Sequence, residues 1–400
     1  MQKQTTRKIL THDFVLCFFA QFTFTFVFYN LMPTLPIYLS RLGSTEVEIG
    51  ILIGSPAIAS LVLRPFVGRA LLRIPEKTFM IAGAVLFVFT SAAFLFTPPF
   101  WPFLVVRIFQ GVAFAFFSTA AFTLIANISP AAHRGQSLGY FTLSFTISSA
   151  IAPPLGMFLI NHFSFPILFL VCSGLSLFSL FSIHPLERRQ IVPLQEYSIE
   201  DGFLFSRGAI PPSVIGFFPF FIWGALTAFF PLYAVNQGVT NPGFFFTTTA
   251  IVLILSRSFG GKIIDLYGGE NVILPCLMAY IISMTILAFS KTLPMFILVA
   301  VIYGIGPAFL TPASMAYALD RGGAPGPTMG TFYAITDLGV CLGPVIMGIV
   351  IHSTSYPIMF LCLAFMGIID IGYFYFFVRK KDDSGYDVID LGIDVPGERR

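Results

Sequence analysis

Arg64 and Gly68 close one long apolar run, and Arg257 and Gly261 close another at a step of 193 residues. Each pair leads through a short polar turn into a fresh apolar run, as RPFVGRALLRIPEK and RSFGGKIIDLYGGE. The same step links RIFQGVAFAF around Gly111 with AVIYGIGPAF around Gly304. It becomes 191 for Gly139 with Gly330, Pro153 with Pro344, and FPILFLVC with YPIMFLC. One half-chain has been laid down twice, with a two-residue difference in one loop. An internal repeat on this scale decides architecture before local propensity does.

Each copy holds six apolar runs of the length a bilayer crossing needs, about 20 residues. They lie near 14–39, 48–68, 78–97, 100–126, 137–161 and 165–184, then 212–235, 244–261, 272–290, 293–318, 329–351 and 357–378. Strands of a membrane barrel need only about 10 alternating residues, so these runs are helices. With 56% apolar and 10% charged residues, the chain has too few charges for a soluble surface. The expected fold is an all-α integral membrane protein of twelve transmembrane helices in two six-helix, pseudo-symmetric domains. The domains are expected over 1–186 and 212–378, with a cytoplasmic linker at 187–211 and a cytoplasmic tail at 379–400. Lys3, Arg7 and Lys8 precede the first run in the manner of a secretory signal. That run is too long and lacks a small-residue cleavage site, so it reads as a retained first span.

With the amino terminus inside, the tails and even-numbered loops carry nineteen of the twenty-two basic residues. Arg41 and Lys291 fall outside, and Arg107 falls within a span. This asymmetry places both termini in the cytoplasm. The net charge of +3 is therefore a topology signal, with no support for nucleic-acid binding. The five cysteines sit in apolar runs without paired spacing and read as small packing residues. The five histidines sit at span ends and offer no metal site. No phosphate-cradling loop and no HExxH pattern is present, so the chain reads as a non-enzyme without cofactor or metal. The energy for any work it does must come from a gradient.

A charge at the bilayer centre costs at least about 2.5–3.5 kcal/mol, which makes intramembrane ionisable residues candidates for function. Three qualify: Arg107, Asp337 and Asp370. Arg107 shares a helical face with Gln110 and Gly111. It would grip an anionic or carbonyl group, bias a nearby carboxylate, or fix helix carbonyls as a packing device. Asp337 shares its face with Cys341 and Pro344, beside Gly339 and Gly343, whose lack of side chain permits close helix approach. A carboxyl group that alternates between wet and dry surroundings changes its proton affinity, which is what a proton-coupled carrier requires. A structural hydrogen bond and direct substrate contact are the other readings of Asp337. Glycine and proline interrupt the fifth and eleventh spans at matched places, at Pro153 with Gly156 and at Gly343 with Pro344. Matched breaks in two repeats point to a transport path.

Three motifs carry a family resemblance. The first is the loop motif at Gly68, Leu72, Pro75 and Lys77, with its second copy at Gly261, Asp265 and Gly268. The second is Arg107, Gln110 and Gly111 in the fourth span. The third is Gly139, Ser148, Ala152, Pro153 and Gly156 in the fifth, with its better copy at Gly330, Gly339, Gly343 and Pro344 in the eleventh. On these, the chain resembles the major facilitator superfamily, and within it the twelve-span drug:proton antiporters. The resemblance covers Phe14 to Val378. It implies a monomer in a bacterial cytoplasmic (inner) membrane that exports a small amphipathic or aromatic molecule in exchange for protons, by rocking of its domains. A proton-coupled importer of a small anionic metabolite and a lipid or lysolipid flippase are the alternatives.

The resemblance also implies a cavity walled by the first, fourth, seventh and tenth spans, offering Gln21, Asn30, Gln110, Trp223, Tyr303 and Tyr317. Proton coupling falls to Asp337 with Arg107, and Asp370 lies on a span that flanks the cavity. Arg64, Gly68, Arg257, Gly261 and Asp265 belong to the gating loops. Leu72 stands where the family has its acid, so a latch through the first copy should be missing. One through Asp265, against Arg134 or the helix start near 135–137, should remain.

Overall fold

The computed structural model describes residues 11–71, 73–98, 100–129, 134–186, 206–267, 269–322 and 325–379. They form twelve helices: α1 (His12–Arg41), α2 (Glu46–Ala70), α3 (Glu76–Ala93), α4 (Trp101–Ile128), α5 (Arg134–His162), α6 (Phe165–Ile183), α7 (Ile210–Asn236), α8 (Gly243–Tyr267), α9 (Gly269–Phe289), α10 (Leu293–Gly322), α11 (Pro325–Ser353) and α12 (Tyr356–Tyr373). A π-helical turn, Phe374–Arg379, follows. Eleven of the helices are long and apolar enough to cross a membrane, and the apolar part of α8 runs over Gly243–Ser256. The linker expected at 187–211 lies outside the described residues as far as 205, as does the tail from 380.

Local chemistry sets the helix ends. Thr11 Oγ1 accepts the Phe14 amide at 3.2 Å. Thr45 and Glu48 form a capping box, in which the Glu48 amide donates to Thr45 Oγ1 at 3.3 Å and the Thr45 amide to Glu48 Oε2 at 2.8 Å. The first helix of each half ends alike. Gly43 and Gly238 take left-handed φ values of 84° and 80°, which a side chain would resist. Beyond them the amide of Ser44 reaches back to Leu39 at 3.1 Å, and that of Val239 to Ala234 at 3.0 Å.

The repeat reappears in the packing. In the first half α1 packs on α5 and α6, α2 on α4, and α3 on α4 and α6; in the second, α7 packs on α11 and α12, α8 on α10, and α9 on α10 and α12. The halves meet through α2 with α11 and α5 with α8, which are equivalent pairs under the repeat. Part of the phenylalanine content is core. Phe24 stacks on Phe87 at 4.2 Å and on Phe117 at 4.1 Å, joining α1, α3 and α4. Others, such as Phe19, Phe66 and Phe89, are exposed in the manner of lipid-facing filler.

Among the described residues, the contact between halves is tight at one end only. On the side away from the amino terminus, Gly50 and Gly54 of α2 lie against the backbone of Pro344 and Cys341 in α11, and Gly348 against that of Glu46. A Cβ on Gly54 would stand 2.6 Å from the Cys341 carbonyl oxygen. Gly243 of α8 meets Pro153 and Pro154 of α5 in the same way. Polar contacts seal this end: Asn161 Nδ2 donates to the Thr240 carbonyl at 2.7 Å, and Glu46 faces His352 at 3.5 Å. On the amino-terminal side, a Cβ added to Gly68, Gly139 or Gly330 would meet nothing within 4 Å. Among the described residues, the bundle is thus closed at one end and splayed at the other.

Candidate functional site

Prolines inside helices build the site. A proline has no amide, so the carbonyl four residues earlier loses its helical partner. Pro56 in α2 frees the Leu52 carbonyl, and Arg107 of α4 donates to it through Nε at 2.9 Å. The same guanidinium donates to the Ile53 carbonyl at 3.2 Å and to Gln110 Oε1. Gly111 lets α4 come this close, since its Cβ would stand 2.7 Å from the Pro56 Cα. Arg107, Gln110 and Gly111 therefore form a junction that fixes α4 to the interrupted α2. Pro154 frees the Ala150 carbonyl in α5, and the Thr247 hydroxyl of α8 donates to it at 2.5 Å.

Helix α11 presents two faces. Gly339 and Gly343 lie on the backbone of Phe217 and Phe221, holding α11 to α7. The other face carries Asp337, Cys341, Pro344 and Gly348 toward α2 at helical spacing. Asp337 Oδ2 accepts from Nη1 of Arg64 in α2 at 2.6 Å. The two side chains are 18% and 30% exposed, so the pair is partly shielded. It spans the gap where α2 and α11 begin to part.

This ion pair stands on the wall of a cavity between the halves. One lobe, about 260 Å³, is lined by Ser60, Arg64, Arg107, Phe114, Thr227 and Asp337 among others. A second lobe, about 200 Å³, is lined mainly by Phe220, Phe246, Tyr280, Tyr303, Pro307 and Thr311. Tyr29, Met32 and Trp223 border both lobes. Both lobes are mostly apolar; the first carries the charged groups Arg64, Arg107 and Asp337, and the second, the aromatic lobe, carries none. Trp223 stands parallel to Tyr303, with ring centroids 6.2 Å apart.

Of the residues expected in the cavity, Trp223 and Tyr303 line it. Gln110 is buried against Arg107 instead. Gln21 and Asn30 are buried within α1 on neither lobe. Both polar atoms of Gln21 and the Oδ1 of Asn30 lack a partner among the described residues. Gly156 of α5 is seated on Asn30. Tyr317 lies under the Arg321 guanidinium, 5.1 Å from its ring centroid, and outside both lobes. Arg107 was expected to act with Asp337. It stands on the lobe wall with its donors turned to carbonyls and Gln110, and the partner of Asp337 is Arg64. Leu72 and Gly268, and the side chains of Arg134, Arg257, Gly261 and Asp265, lie outside the described residues, and with them the expected latch. Tyr29, Met32, Phe246 and Tyr280 were missed because apolar and aromatic residues recur throughout the spans and only the helix pairing selects which of them face inward.

Two repeated six-helix halves about a central cavity, closed at one end, are the form of an alternating-access carrier. The sequence matches the Major Facilitator Superfamily over residues 17–256 and 213–388, and the chain belongs to that family. It is a multi-pass membrane transporter of small molecules, not an enzyme. It is 24% identical to the staphylopine export protein of Staphylococcus aureus over 380 residues, covering 88% of this chain and 94% of that one. It is 25% identical to multidrug resistance protein 2 of Bacillus subtilis over 376 residues, 88% of this chain and 92% of the other. Among solved structures, a mutant of the nucleoside transporter NupG superposes with a TM-score of 0.77 at 15% identity, covering 91% of this chain and 100% of that one. This last likeness concerns the fold alone.

Proposed function

We propose that the chain is a proton-coupled exporter of a small amphipathic or aromatic molecule, with Asp337 as the coupling group and Arg64 as its internal counter-ion. The carrying observation is the 2.6 Å pair between Arg64 and Asp337, because it joins the two halves across the cavity wall. A proton on Asp337 removes the charge that holds Arg64, and so weakens a contact between the halves. A cargo cation at Asp337 competes with Arg64 in the same way. Proton and cargo then exclude one another at one carboxyl, which is the condition for exchange. The aromatic lobe suits a cargo with an apolar ring system, since such pockets use apolar walls with few fixing polar groups. The names of the two relatives, an exporter and a multidrug resistance protein, support the outward direction.

The distribution of lysine and arginine supports cytoplasmic termini. The splayed, amino-terminal side is then cytoplasmic, and the conformation is the one that loads cargo for export from a bacterial cytoplasmic membrane. Opening the other side requires α2 to leave α11 near Gly50 and Gly54, and α8 to leave α5 near Gly243. The import of an anion gripped by Arg107 draws no support, since that guanidinium is engaged by Leu52, Ile53 and Gln110.

The test is proteoliposomes holding a pH dye, to which aromatic cations, zwitterions and anions are added in turn. At least one amphipathic compound should dissipate an imposed proton gradient only where the protein is present. Lipid scrambling in the same vesicles, with no compound moving protons, would overturn the reading.

A further inference from the structure

Asp370 has no part in the site described above. It lies on α12, one turn before the π-helical end, and is 0% exposed. Among the described residues, neither carboxyl oxygen makes a hydrogen bond and no salt bridge reaches it. An intramembrane acid that faces protein without a partner is costly and needs a reason to be kept.

Its surroundings narrow what it can hold. α12 packs chiefly on α9, and to a lesser extent on α7 and α11. On α9, Tyr280 is the chain neighbour of Ile281, the residue on which Gly367 of α12 is seated one turn before Asp370. On α12 itself Tyr373 follows three residues on, on the same helical face. The titratable residue of α7 is Tyr233, whose ring packs on Tyr356 and Phe360 nearer the closed end. On α11, Asp337 faces Arg64, His352 faces Glu46, and Cys341 is packed against Gly54 of α2; Tyr333 lies one turn before Asp337. No cation from these elements therefore faces Asp370 among the described residues.

The packing leaves no room for cargo. Gly367, one turn earlier, is seated on Ile281, where a Cβ would stand 2.7 Å from the side chain. Asp370 lies on neither lobe of the cavity. A metal ion would need several oxygen or nitrogen ligands, and no cluster of three or more such side chains exists among the described residues. A proton fits.

One side chain of α9, the helix on which α12 chiefly packs, also lines the cavity. The Tyr280 ring lies over Gly306 of α10, where a Cβ would stand 2.7 Å from it. It meets Tyr303 edge-on at 5.2 Å and lines the aromatic lobe. We propose that Asp370 is a second proton-binding site of the carrier, separate from the Arg64–Asp337 pair and reached from the aromatic lobe through Tyr280. Hydronium in the lobe gives its proton to the Asp370 carboxylate, forming a neutral carboxyl group and water, and release reverses the step. The use of this proton in transport rests on the proposed proton coupling; its binding does not, and is measured without cargo.

Infrared difference spectra of the full chain in lipid, between acid and alkaline buffer, test it through the C=O stretch of a protonated carboxyl. Wild type and Asp337→Asn should share a band that shifts in deuterated water. Asp370→Asn should lack it, and Asp370→Glu should keep it at a moved frequency. Tyr280→Phe should keep the band but slow its deuterium exchange by about tenfold or more, as expected for loss of a positioned proton relay. An Asp370→Asn spectrum that superimposes on wild type overturns the proposal. Should that variant not fold, a band unmoved in Asp370→Glu has the same force, and exchange unaltered in Tyr280→Phe refutes the route. Loss of the band in Asp337→Asn alone would return the proton to the first site and leave Asp370 without a role.

Discussion

The closed end rests on glycines that leave no space, so Gly54→Ala should move the carrier toward its other conformation. The added Cβ would lie 2.6 Å from the Cys341 carbonyl oxygen, whereas a tolerated carbon–oxygen approach is about 3.3 Å. The neighbour is backbone, so no rotamer change relieves the clash, and α2 and α11 must part by roughly 0.7 Å to reach that approach. Overpacking of this kind costs about 1–3 kcal/mol. The conformation in which α2 and α11 separate at this end escapes that cost, so the ratio of the two states should change by about 5- to 150-fold. The control is Gly68→Ala, where the new atom meets nothing within 4 Å. Spin labels at Arg69→Cys and Gly330→Cys, both exposed on the splayed side, report the gap in a background with Cys362 replaced by Ser. Double electron–electron resonance should show a new, shorter distance in Gly54→Ala and none in Gly68→Ala. Identical distance distributions in all three proteins would refute the argument that glycine contacts hold this end shut.

Two further outcomes follow from the same geometry. Arg107→Lys loses the planar fork on the Leu52 and Ile53 carbonyls and should lower stability by about 1–3 kcal/mol. Pro56→Ala restores a helical donor to the Leu52 carbonyl, so the loss should shrink in the double variant, and additive losses in detergent thermal unfolding would count against the junction. Trp223→Ala removes the ring shared by both lobes and should weaken binding of an aromatic cargo by about 30-fold, or about 2 kcal/mol. Equilibrium binding of the compound found in the vesicle panel measures this, and unchanged affinity would remove Trp223 from the site.

The helices, their number and the twofold repeat were legible because bilayer length and the 193-residue step are properties of the chain alone. Asp337 could be singled out by the cost of a charge in an apolar run. Its partner could not, since Arg64 lies 273 residues away and meets it only because α2 packs on α11. Arg107 carried the same charge signal, yet its role depends on a carbonyl freed by Pro56, a backbone effect that charge patterning does not report. Gln21 and Asn30 attracted attention as polar residues in an apolar helix, but which way a residue faces in a span of low amphipathicity is decided by its neighbours. In the two lobes, Tyr280 and Phe246 differ from dozens of other aromatic residues by position alone.

The central claim is that Asp337 couples protons to cargo while the cavity holds the cargo. Asp337→Asn separates the two, since it keeps shape and removes charge. In vesicles loaded with the cargo compound, exchange of labelled for unlabelled cargo should persist in Asp337→Asn at raised cargo concentration, since the aromatic lobe still holds the ring system, whereas cargo-driven proton movement should vanish. Proton movement that continues at the wild-type ratio to cargo would contradict the account.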